Sequence, residues 1–443
     1  MAQKNSMTLA IVLLVAGLIV GGGIGYFAAP AKVTTTTTVT TSVVKETPLK
    51  GTTIQLGMIA ASDTDLETNK PWHDQTITTD MNAYAKLLGY DVKYQWLDDN
   101  AGGQDATHLE KVQGYRSMGV TCLMGGGWSS QAQASLSYLN SNHMLMWSYS
   151  STSPTLSIAG DRLYRACPSD AALAPALVDV AWSYGIKSMI IFQRGDSWGD
   201  GIVNLFVPAW TAKGGVIAGD KVRYDTAATD FSNYLQVANT EASAAIASTG
   251  SAAKVGILLL CFDEGPVIIT QAKDYPSFYS CVPFGGDGTA VGTRIMMDAP
   301  QQAIHMKIFS LMASSPISTK YNTLKAEYEA ITKQQFTAYC GYQYDIGFIF
   351  MGTQLQAQSP QADDIVNLQT QWCYNMYGST GWVQLNQYGD RAPPPFDIWY
   401  YAPSTPANPM TSGCSSWKAG LYDNDLKTTT WNTALPGVTP GTP

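Results

Sequence analysis

The sequence is poor in charge. Only 14% of its 443 residues are Asp, Glu, Lys or Arg, against about 25% in ordinary soluble domains. The charges that are present leave a formal net charge of −8. Nucleic acid is excluded as a partner, because its binding needs clustered Lys and Arg that displace counterions. The length and the 45% hydrophobic content suffice for a large core, which excludes disordered and small disulfide-rich classes.

Metal-binding and catalytic patterns are also missing. The seven Cys contain no C-x-x-C pair, and the four His are scattered without H-x-x-x-H spacing. The turn around Ser129 lacks the G-x-S-x-G pattern of a hydrolase nucleophile elbow, because Gln131 holds the last position. We therefore expect no enzyme activity, no cofactor and no bound metal.

One long uncharged run lies at the N-terminus. Met7–Ala29 is long enough to cross a bilayer, since a spanning helix needs about 20 apolar residues. Its length favours an uncleaved transmembrane anchor within residues 1–31, and a cleaved signal peptide is the alternative. Residues 32–51 are Thr-rich and are typical of a stalk. Both alternatives place the rest of the chain outside the cell, either tethered to the cell membrane by a single span or secreted.

From Thr52 onward, short apolar runs alternate with amphipathic segments. Thr53–Ala60, Gly119–Gly126 and Val255–Cys261 are examples of the runs, and Gln75–Leu88 is predicted to be a helix with Pro71 just upstream. This alternation indicates strands followed by crossover helices, and hence an α/β fold with parallel sheets. There are too many units for one small domain, so we expect two doubly wound lobes. The Pro-, Gly- and Thr-rich residues 404–443 are predicted to form an irregular extension.

Polar turns follow two of the predicted strands. Gly125–Ser130 lies between a strand and a helical pattern, which places backbone N–H groups and Ser hydroxyls at a helix N-terminus. Ser150–Pro154 follows the next strand. Hydroxyls at neighbouring strand ends can converge on one carboxylate, although a plain Ser cap on a glycine turn explains the first motif equally well.

Four fragments occur in order and carry a family resemblance: GGWSSQAQASLSYLNSNHMLMWSYSSTSPTL, LYRACPSDAALAPAL, DSWGDGIVN and TDFSNYLQ. The chain resembles the branched-chain amino acid binding family, the Leu/Ile/Val-type solute-binding proteins of ABC importers. The resemblance implies the periplasmic binding protein type 1 architecture, in which two Rossmann-like lobes are joined by three crossover strands. It places lobe 1 at 52–167 plus 312–388 and lobe 2 at 168–311 plus 389–403.

The resemblance also implies a set of ligand-binding residues. Ser129 matches the position whose hydroxyl holds the ligand carboxylate, and Thr152 the position whose hydroxyl and backbone N–H share that task. Ser150 stands where a backbone carbonyl accepts a hydrogen bond from the ligand ammonium. Asp287 aligns with the acidic residue that pairs with the ammonium, and Trp198 with an aromatic residue that covers the ligand.

Two further positions complete this set. Trp72, at the start of the first predicted helix, is a candidate for an apolar wall of the site. Phe262 ends a strand of the second lobe and is placed in the cleft, where a shift of one residue in the alignment would change which side chain faces the ligand.

The implied function is extracytoplasmic capture of a small polar solute by hinge closure of two lobes. The ligand would then pass to the permease and ATPase subunits of an ABC importer. An amino acid is favoured because Asp287 is present; relatives also bind urea, short amides and aromatic acids. A ligand-sensing ectodomain of the same fold, without transport, is the alternative function.

Overall fold

The computed structural model describes residues 47–406, 408 and 410–441. The predicted anchor Met7–Ala29 and most of the predicted stalk lie outside the described residues. Within the described part of the chain, no helix is long and apolar enough to cross a membrane.

The strands form two large sheets and one short hairpin. In chain order they are β1 (Thr52–Ala60), β2 (Val92–Asn100), β3 (Cys122–Met124), β4 (Leu145–Ser148), β5 (Leu163–Pro168), β6 (Ser188–Arg194), β7 (Val216–Ile217), β8 (Val222–Tyr224), β9 (Val255–Leu260), β10 (Val282–Gly285), β11 (Phe309–Ala313), β12 (Tyr377–Gly378), β13 (Gly381–Trp382), β14 (Asp390–Arg391), β15 (Phe396–Pro403), β16 (Cys414–Asp423) and β17 (Thr428–Trp431).

Helices connect most of these strands. They are α1 (Asp63–Trp72), α2 (Thr78–Leu87), α3 (Asp105–Ser117), α4 (Ser129–Ser141), α5 (Asp170–Ser183), α6 (Ser197–Ala212), α7 (Ser232–Thr249), α8 (Gly265–Ala272), α9 (Pro276–Tyr279), α10 (Thr293–Asp298), α11 (Pro300–Met306), α12 (Thr319–Thr332), α13 (Ala338–Ala357), α14 (Ala362–Ile365) and α15 (Gln369–Tyr374).

Each large sheet forms the centre of one lobe. Sheet I has the order β14-β5-β4-β3-β1-β2, and its pairs are parallel. Sheet II has the order β17-β16-β15-β11-β10-β9-β6-β7, with β8 also paired to β6. The pairs from β6 to β11 are parallel, and β15, β16 and β17 add antiparallel strands. The predicted α/β fold with mostly parallel sheets is therefore confirmed.

The chain passes between the sheets three times: between β5 and β6, between β11 and β14, and between β14 and β15. The central strands are apolar because helices cover both faces of a parallel sheet. Every residue of β9 is buried, for example. This burial accounts for part of the low charge content.

The first predicted helix begins earlier than Gln75. Helix α1 begins at Asp63, where the Ser62 hydroxyl accepts a hydrogen bond from the backbone N–H of Asp65. Pro71, expected upstream of the helix, lies inside it. A π-helical turn at His73–Ile77 follows directly and joins α1 to α2. Because Pro71 has no N–H to donate, a local change in the helical hydrogen-bond pattern at this point is expected.

The extension after Ser404 is not irregular as predicted. Cys414–Asp423 forms β16, which pairs with β15, and Thr428–Trp431 forms β17 at the edge of sheet II. The sequence signal is the run of β-branched residues in β17, where the more buried positions alternate with exposed ones. Pro, Gly and Thr in the flanking segments obscured this two-stranded pattern.

A buried ion pair joins β5 to β14 and holds the turn after β4. Arg165 Nε donates to Asp390 Oδ1 at 2.6 Å, and both side chains are almost fully buried. Its Nη1 donates to the backbone carbonyls of Ser151, at 3.0 Å, and Ser153, at 2.8 Å. The guanidinium thus fixes the path of the turn that carries two of the predicted site positions, Ser150 and Thr152.

Asp390→Asn tests this ion pair. The substitution would leave the Arg165 charge buried without its counterion, so we expect the free energy of unfolding to fall by about 3–5 kcal/mol in urea denaturation. Asp74→Asn is the control, because Asp74 forms an exposed pair with Lys70 that should contribute less than about 1 kcal/mol. Equal effects of the two substitutions would contradict the structural role of the buried pair.

Candidate ligand-binding site

The carboxyl ends of strands from both sheets face one cleft, the position at which open α/β sheets bind ligands. Sheet I contributes the turns after β3 and β4, which carry Ser129 and Ser150. Sheet II contributes the segments after β6, β9 and β10, which carry Trp198, Phe262 and Asp287. Short connections place each residue within a few positions of a strand end, so the sheets fix the positions of these groups.

Five of the seven predicted site residues line one cavity of ≈160 Å³, called the inner chamber. Its lining residues are Gly127, Trp128, Ser129, Ser150, Trp198, Phe262, Asp287, Gly288 and Tyr339. The structure therefore brings Ser129, Ser150, Trp198, Phe262 and Asp287 together.

Hydrogen bonds fix the glycine turn before α4. Gly126 has a positive φ of 59°, and its N–H donates to Nε2 of the buried His108 at 2.8 Å. Burial lowers the pKa of His108 to about 3, so the ring is neutral and can accept. The Ser150 hydroxyl donates to the carbonyl of Gly127 at 2.7 Å. The N-terminus of α4 is held facing the inner chamber, where its partial positive charge favours an anion.

Ser129 and Thr152 differ in how their hydroxyls are used. Ser129 Oγ already accepts a hydrogen bond from the N–H of Ser153 at 3.1 Å. Thr152 lines a small cavity of ≈10 Å³ that shares Asp287 and Tyr339 with the inner chamber. Its Oγ1 is buried without a hydrogen bond of good geometry among the described residues, but it lies close enough to the Asp170 carboxylate to lower the pKa of that group. A buried hydroxyl without a partner is unfavourable unless a ligand or water completes it.

Two carboxylates lie at this end of the cleft. Asp287 Oδ1 accepts from the N–H of Gly288 at 3.0 Å, and Oδ2 accepts from the Tyr339 hydroxyl. Burial raises the pKa of Asp287 to about 6. Asp170, at the start of α5, lines the small cavity with Asp287. Burial and the Asp287 charge raise the pKa of Asp170 well above its ordinary value. The pair favours a proton or another cation.

Three aromatic rings cover the inner chamber and connect the lobes. Phe262 stacks on Trp128, with ring centroids 5.1 Å apart, and packs against Trp198 at 4.3 Å. The Arg194 guanidinium lies 4.7 Å from the centroid of Trp128. Trp128 belongs to the side of sheet I, whereas Phe262 and Trp198 belong to sheet II. Trp128 can therefore contact Phe262 only when the two lobes are close together.

Hydrogen bonds across the cleft complete the closed arrangement. The Ser153 hydroxyl donates to the carbonyl of Ser197 at 2.7 Å, and the Ser62 hydroxyl donates to Asp263 Oδ2 at 2.9 Å. Together with the hydrogen bond from Tyr339 to Asp287, these contacts join the lobes on several sides of the inner chamber. The structure is therefore the closed form of the cleft.

Trp72 does not line the cleft, and its expected role as an apolar wall is wrong. Its side chain is fully buried, and its indole N–H donates to the carbonyl of Cys340 at 3.3 Å. It packs edge-on against Tyr328 and Phe336. Because α1 begins nine residues before Trp72, at Asp63, Trp72 lies at the far end of the helix from the strand end that faces the cleft.

Two residues of the cleft were not among the predicted ligand-binding residues. Asp170 lies in the fragment LYRACPSDAALAPAL, directly after the helix-capping Ser169. Its position just after a strand, in a Ser-Asp pair, is the sequence signal that could have indicated a site residue. Tyr339 comes from α13, far along the chain from the other site residues. Nothing in the local sequence relates Tyr339 to them, because only the tertiary fold places it opposite Asp287.

A cavity of larger volume lies elsewhere. Its volume is ≈850 Å³, and it lies between α2, α13 and α15 on the side of sheet I. Apolar side chains such as Tyr84, Phe348 and Trp372 line much of it. None of the predicted site residues lines this cavity, so the smaller inner chamber remains the candidate site.

Asp287→Asn tests the carboxylate pair. A carboxyl whose folded-state pKa is raised binds more protons in the folded than in the unfolded state, so its contribution to stability falls as pH rises from about 4 to about 6. We expect the variant to be more stable than the native chain at pH 7.5, by roughly 1–3 kcal/mol, with little difference at pH 4.

Urea unfolding at the two pH values measures this difference. Asp274→Asn is the matched control, because Asp274 is an exposed carboxylate of the same lobe and should show no such pH-dependent gain. A less stable Asp287→Asn chain at pH 7.5 would contradict the assignment of an uncompensated carboxylate.

Comparison with known proteins identifies similar sequences and structures. The family model described as "Periplasmic binding protein" matches residues 75–287. An uncharacterized protein of Methanocaldococcus jannaschii is 25% identical over 331 residues, which are 70% of this chain and 77% of the relative.

Solved structures share the fold at low identity. The leucine-binding protein LivK of Thermotoga maritima has a TM-score of 0.68 and 16% identity, covering 84% of this chain and 99% of its own. LivJ of Streptococcus pneumoniae, in complex with isoleucine, has a TM-score of 0.64 and 15% identity, covering 83% and 99%. A solute-binding protein from R. palustris, in complex with benzoate, has a TM-score of 0.63 and 14% identity, covering 86% and 99%.

The family and these structural neighbours are solute-binding proteins and not enzymes. The match over 75–287 and the shared fold confirm the resemblance to Leu/Ile/Val-type solute-binding proteins. The chain is therefore similar to the periplasmic binding proteins over residues 75–287 and has their type 1 fold.

Proposed function

We propose that this protein is the extracytoplasmic substrate-binding component of an ABC importer and that it captures a zwitterionic amino acid. The observation that carries the proposal is the inner chamber. The N-terminus of α4 faces the inner chamber, and Thr152 lines the small adjoining cavity; both can donate hydrogen bonds to an anion. Asp287 lines both cavities and can bind a cation.

An α-amino acid matches both ends of this arrangement. Its carboxylate would accept hydrogen bonds from the α4 N-terminus and the Thr152 hydroxyl, which forms no hydrogen bond of good geometry in the described chain. Its ammonium would lie near Asp287 and Asp170, where a positive charge offsets the repulsion between two buried carboxylates. Hydrogen bonds to charged groups are stronger than those between neutral groups, so both ends contribute to affinity.

Capture would proceed by closure of the two lobes. The stack of Trp128 on Phe262 and the hydrogen bonds across the cleft form only in the closed state. A ligand that binds both lobes at once shifts the equilibrium from the open toward the closed state. The closed form would then be recognised by a permease, with its ATPase subunits driving transport.

The same proposal places the protein at the cell surface. Met7–Ala29 would anchor the chain by a single span, and the Thr-rich segment would separate the two lobes from the membrane. Named structural neighbours bind small carboxylate-bearing or zwitterionic solutes: leucine, isoleucine and benzoate. All three of these ligands carry a carboxylate, which supports a small carboxylate-bearing ligand for this protein. They differ in the rest of the molecule, so the residues of this cleft decide which remaining group is bound.

Thr152→Val tests the zwitterion site. Because the hydroxyl forms no hydrogen bond of good geometry in the protein and only partly offsets the raised pKa of Asp170, its loss should change the stability of the ligand-free chain little. Binding of an amino acid should weaken by roughly 10- to 100-fold, since a hydrogen bond to a charged group contributes about 1.5–3 kcal/mol. Isothermal titration calorimetry and thermal unfolding measure the two quantities.

The control variant is Thr353→Val, whose buried hydroxyl donates to the carbonyl of Ile349 at 2.8 Å. It should lower stability and leave affinity unchanged. A thermal-shift screen of the full chain against amino acids, urea, amides and benzoate tests the ligand class directly. If urea, an amide or benzoate raises the melting temperature and no amino acid does, the proposed zwitterion ligand is wrong.

Transport is tested separately from binding. Cells that lack this protein should lose uptake of the amino acid that it binds, and expression of the native chain should restore that uptake. Undiminished uptake in the deleted cells, together with loss of a response to the amino acid, would contradict import and favour ligand sensing.

A further inference from the structure

The cleft continues from the inner chamber into a second cavity of ≈270 Å³, called the outer chamber. The two chambers share six lining residues: Gly127, Trp128, Ser150, Phe262, Gly288 and Tyr339. They therefore adjoin. If the two charged groups of an amino acid occupy the inner chamber, its side chain has the outer chamber as its available space.

The outer chamber has polar walls. Asp65 and Asn69 from α1 and Gln343 from α13 line it on the side of sheet I, and Asp263 lines it on the side of sheet II. The amides hold one another in place: Gln343 Nε2 donates to Asn69 Oδ1 at 2.9 Å, and Asn69 Nδ2 donates to Asp65 Oδ1 at 2.5 Å. One N–H of each amide is thus used within the protein, and the charged acceptors of these walls are the Asp65 and Asp263 carboxylates.

Asp65 and Asp263 differ in whether a carboxylate oxygen is still available to accept a hydrogen bond from a ligand. Both oxygens of Asp65 accept hydrogen bonds, from Asn69, from the N–H of Ala61 and from the Tyr149 hydroxyl. In the described chain, Asp263 accepts one side-chain hydrogen bond, from Ser62 to Oδ2. Its Oδ1 is left for another donor. A ligand group that donates hydrogen bonds would complete this carboxylate.

The charges of the cleft are unbalanced. The described charged side chains that line the two chambers are Asp65, Asp263, Asp287 and Arg294. Arg294 is at the rim, with 49% of its side chain exposed, and its Nε is 2.6 Å from Asp298. Burial raises the pKa of Asp263, the Asp65 charge raises it further, and the hydrogen bond from Ser62 and the Arg294 charge offset only part of this increase. Three carboxylates thus line the space with one guanidinium, which already has a partner.

An aliphatic side chain would suit these walls poorly. It would exclude water from Asp263 and Asp65 without replacing the lost hydrogen bonds, and burying a charge without compensation is unfavourable. An ammonium or guanidinium group would instead donate to Asp263 Oδ1 and offset the repulsion between the two carboxylates.

We infer that the ligand is an amino acid whose side chain ends in a cation, with Asp263 as the residue that selects this group. The inference rests on the proposed amino-acid binding function and adds the class of side chain. It separates this cleft from one that selects leucine or isoleucine.

Calorimetric titration of the full chain at pH 7.5 tests the inference, with L-lysine, L-arginine, L-leucine and L-norleucine as probes. Norleucine has the aliphatic chain of lysine without the terminal ammonium. We expect lysine or arginine to bind at least 10-fold more tightly than norleucine and leucine. Asp263→Asn keeps an oxygen that can accept from Ser62 and should remove most of the preference for lysine or arginine over norleucine, whereas Asp274→Asn should leave that preference unchanged.

The outcomes separate the inference from the function on which it rests. Binding of leucine or norleucine as tight as that of lysine and arginine would overturn the basic side-chain assignment while supporting amino-acid capture. Failure of every amino acid to bind would overturn both. A native chain that prefers lysine or arginine, with the same preference kept in Asp263→Asn, would overturn the role of Asp263.

Discussion

The closed cleft encloses carboxylates that the protein does not neutralise. Within the described chain, neither Asp170 nor Asp287 forms an ion pair with Lys or Arg, yet both are removed from water as the lobes meet. Each receives local support, from helix α5 or from Tyr339 and Gly288, and the Arg165 charge lowers the pKa of Asp170 by less than burial and the Asp287 charge raise it. Buried like charges oppose closure. A ligand cation would remove that opposition, so binding and closure become one coupled step.

The part of the cleft that is suited to the ligand carboxylate depends on backbone segments that are held rigidly in place. Arg165 donates to the carbonyls of Ser151 and Ser153, and His108 accepts from the N–H of Gly126. Both positioning side chains are buried, and both act on turns that follow strands of sheet I. Their roles explain why buried polar groups occur in a chain so poor in charge. They hold donors in place before a ligand arrives, which reduces the entropy lost on binding.

The sequence predicted the features that are local to a strand and its turn. The parallel strands, the turns at Ser129 and Ser150 and the strand-end position of Asp287 follow from short motifs whose geometry the sheet determines. Trp72 was misplaced because the start of α1 was missed, and the two strands after Ser404 were obscured by flanking Pro and Gly. Tyr339 could not be predicted locally. It approaches Asp287 through packing of α13 against sheet I, a contact that no spacing in the sequence encodes.

The free energy of closure is the sum of favourable and unfavourable contributions of similar size. The ring contacts of Phe262 with Trp128 and Trp198 each contribute about 0.5–1.5 kcal/mol beyond burial, and each hydrogen bond across the cleft contributes about 1 kcal/mol. Repulsion among Asp65, Asp263, Asp170 and Asp287 works against them. Since about 1.4 kcal/mol changes an equilibrium tenfold, one well-placed cation suffices to shift the balance. The carboxylates that disfavour the empty closed state are therefore the same groups that make closure depend on the ligand.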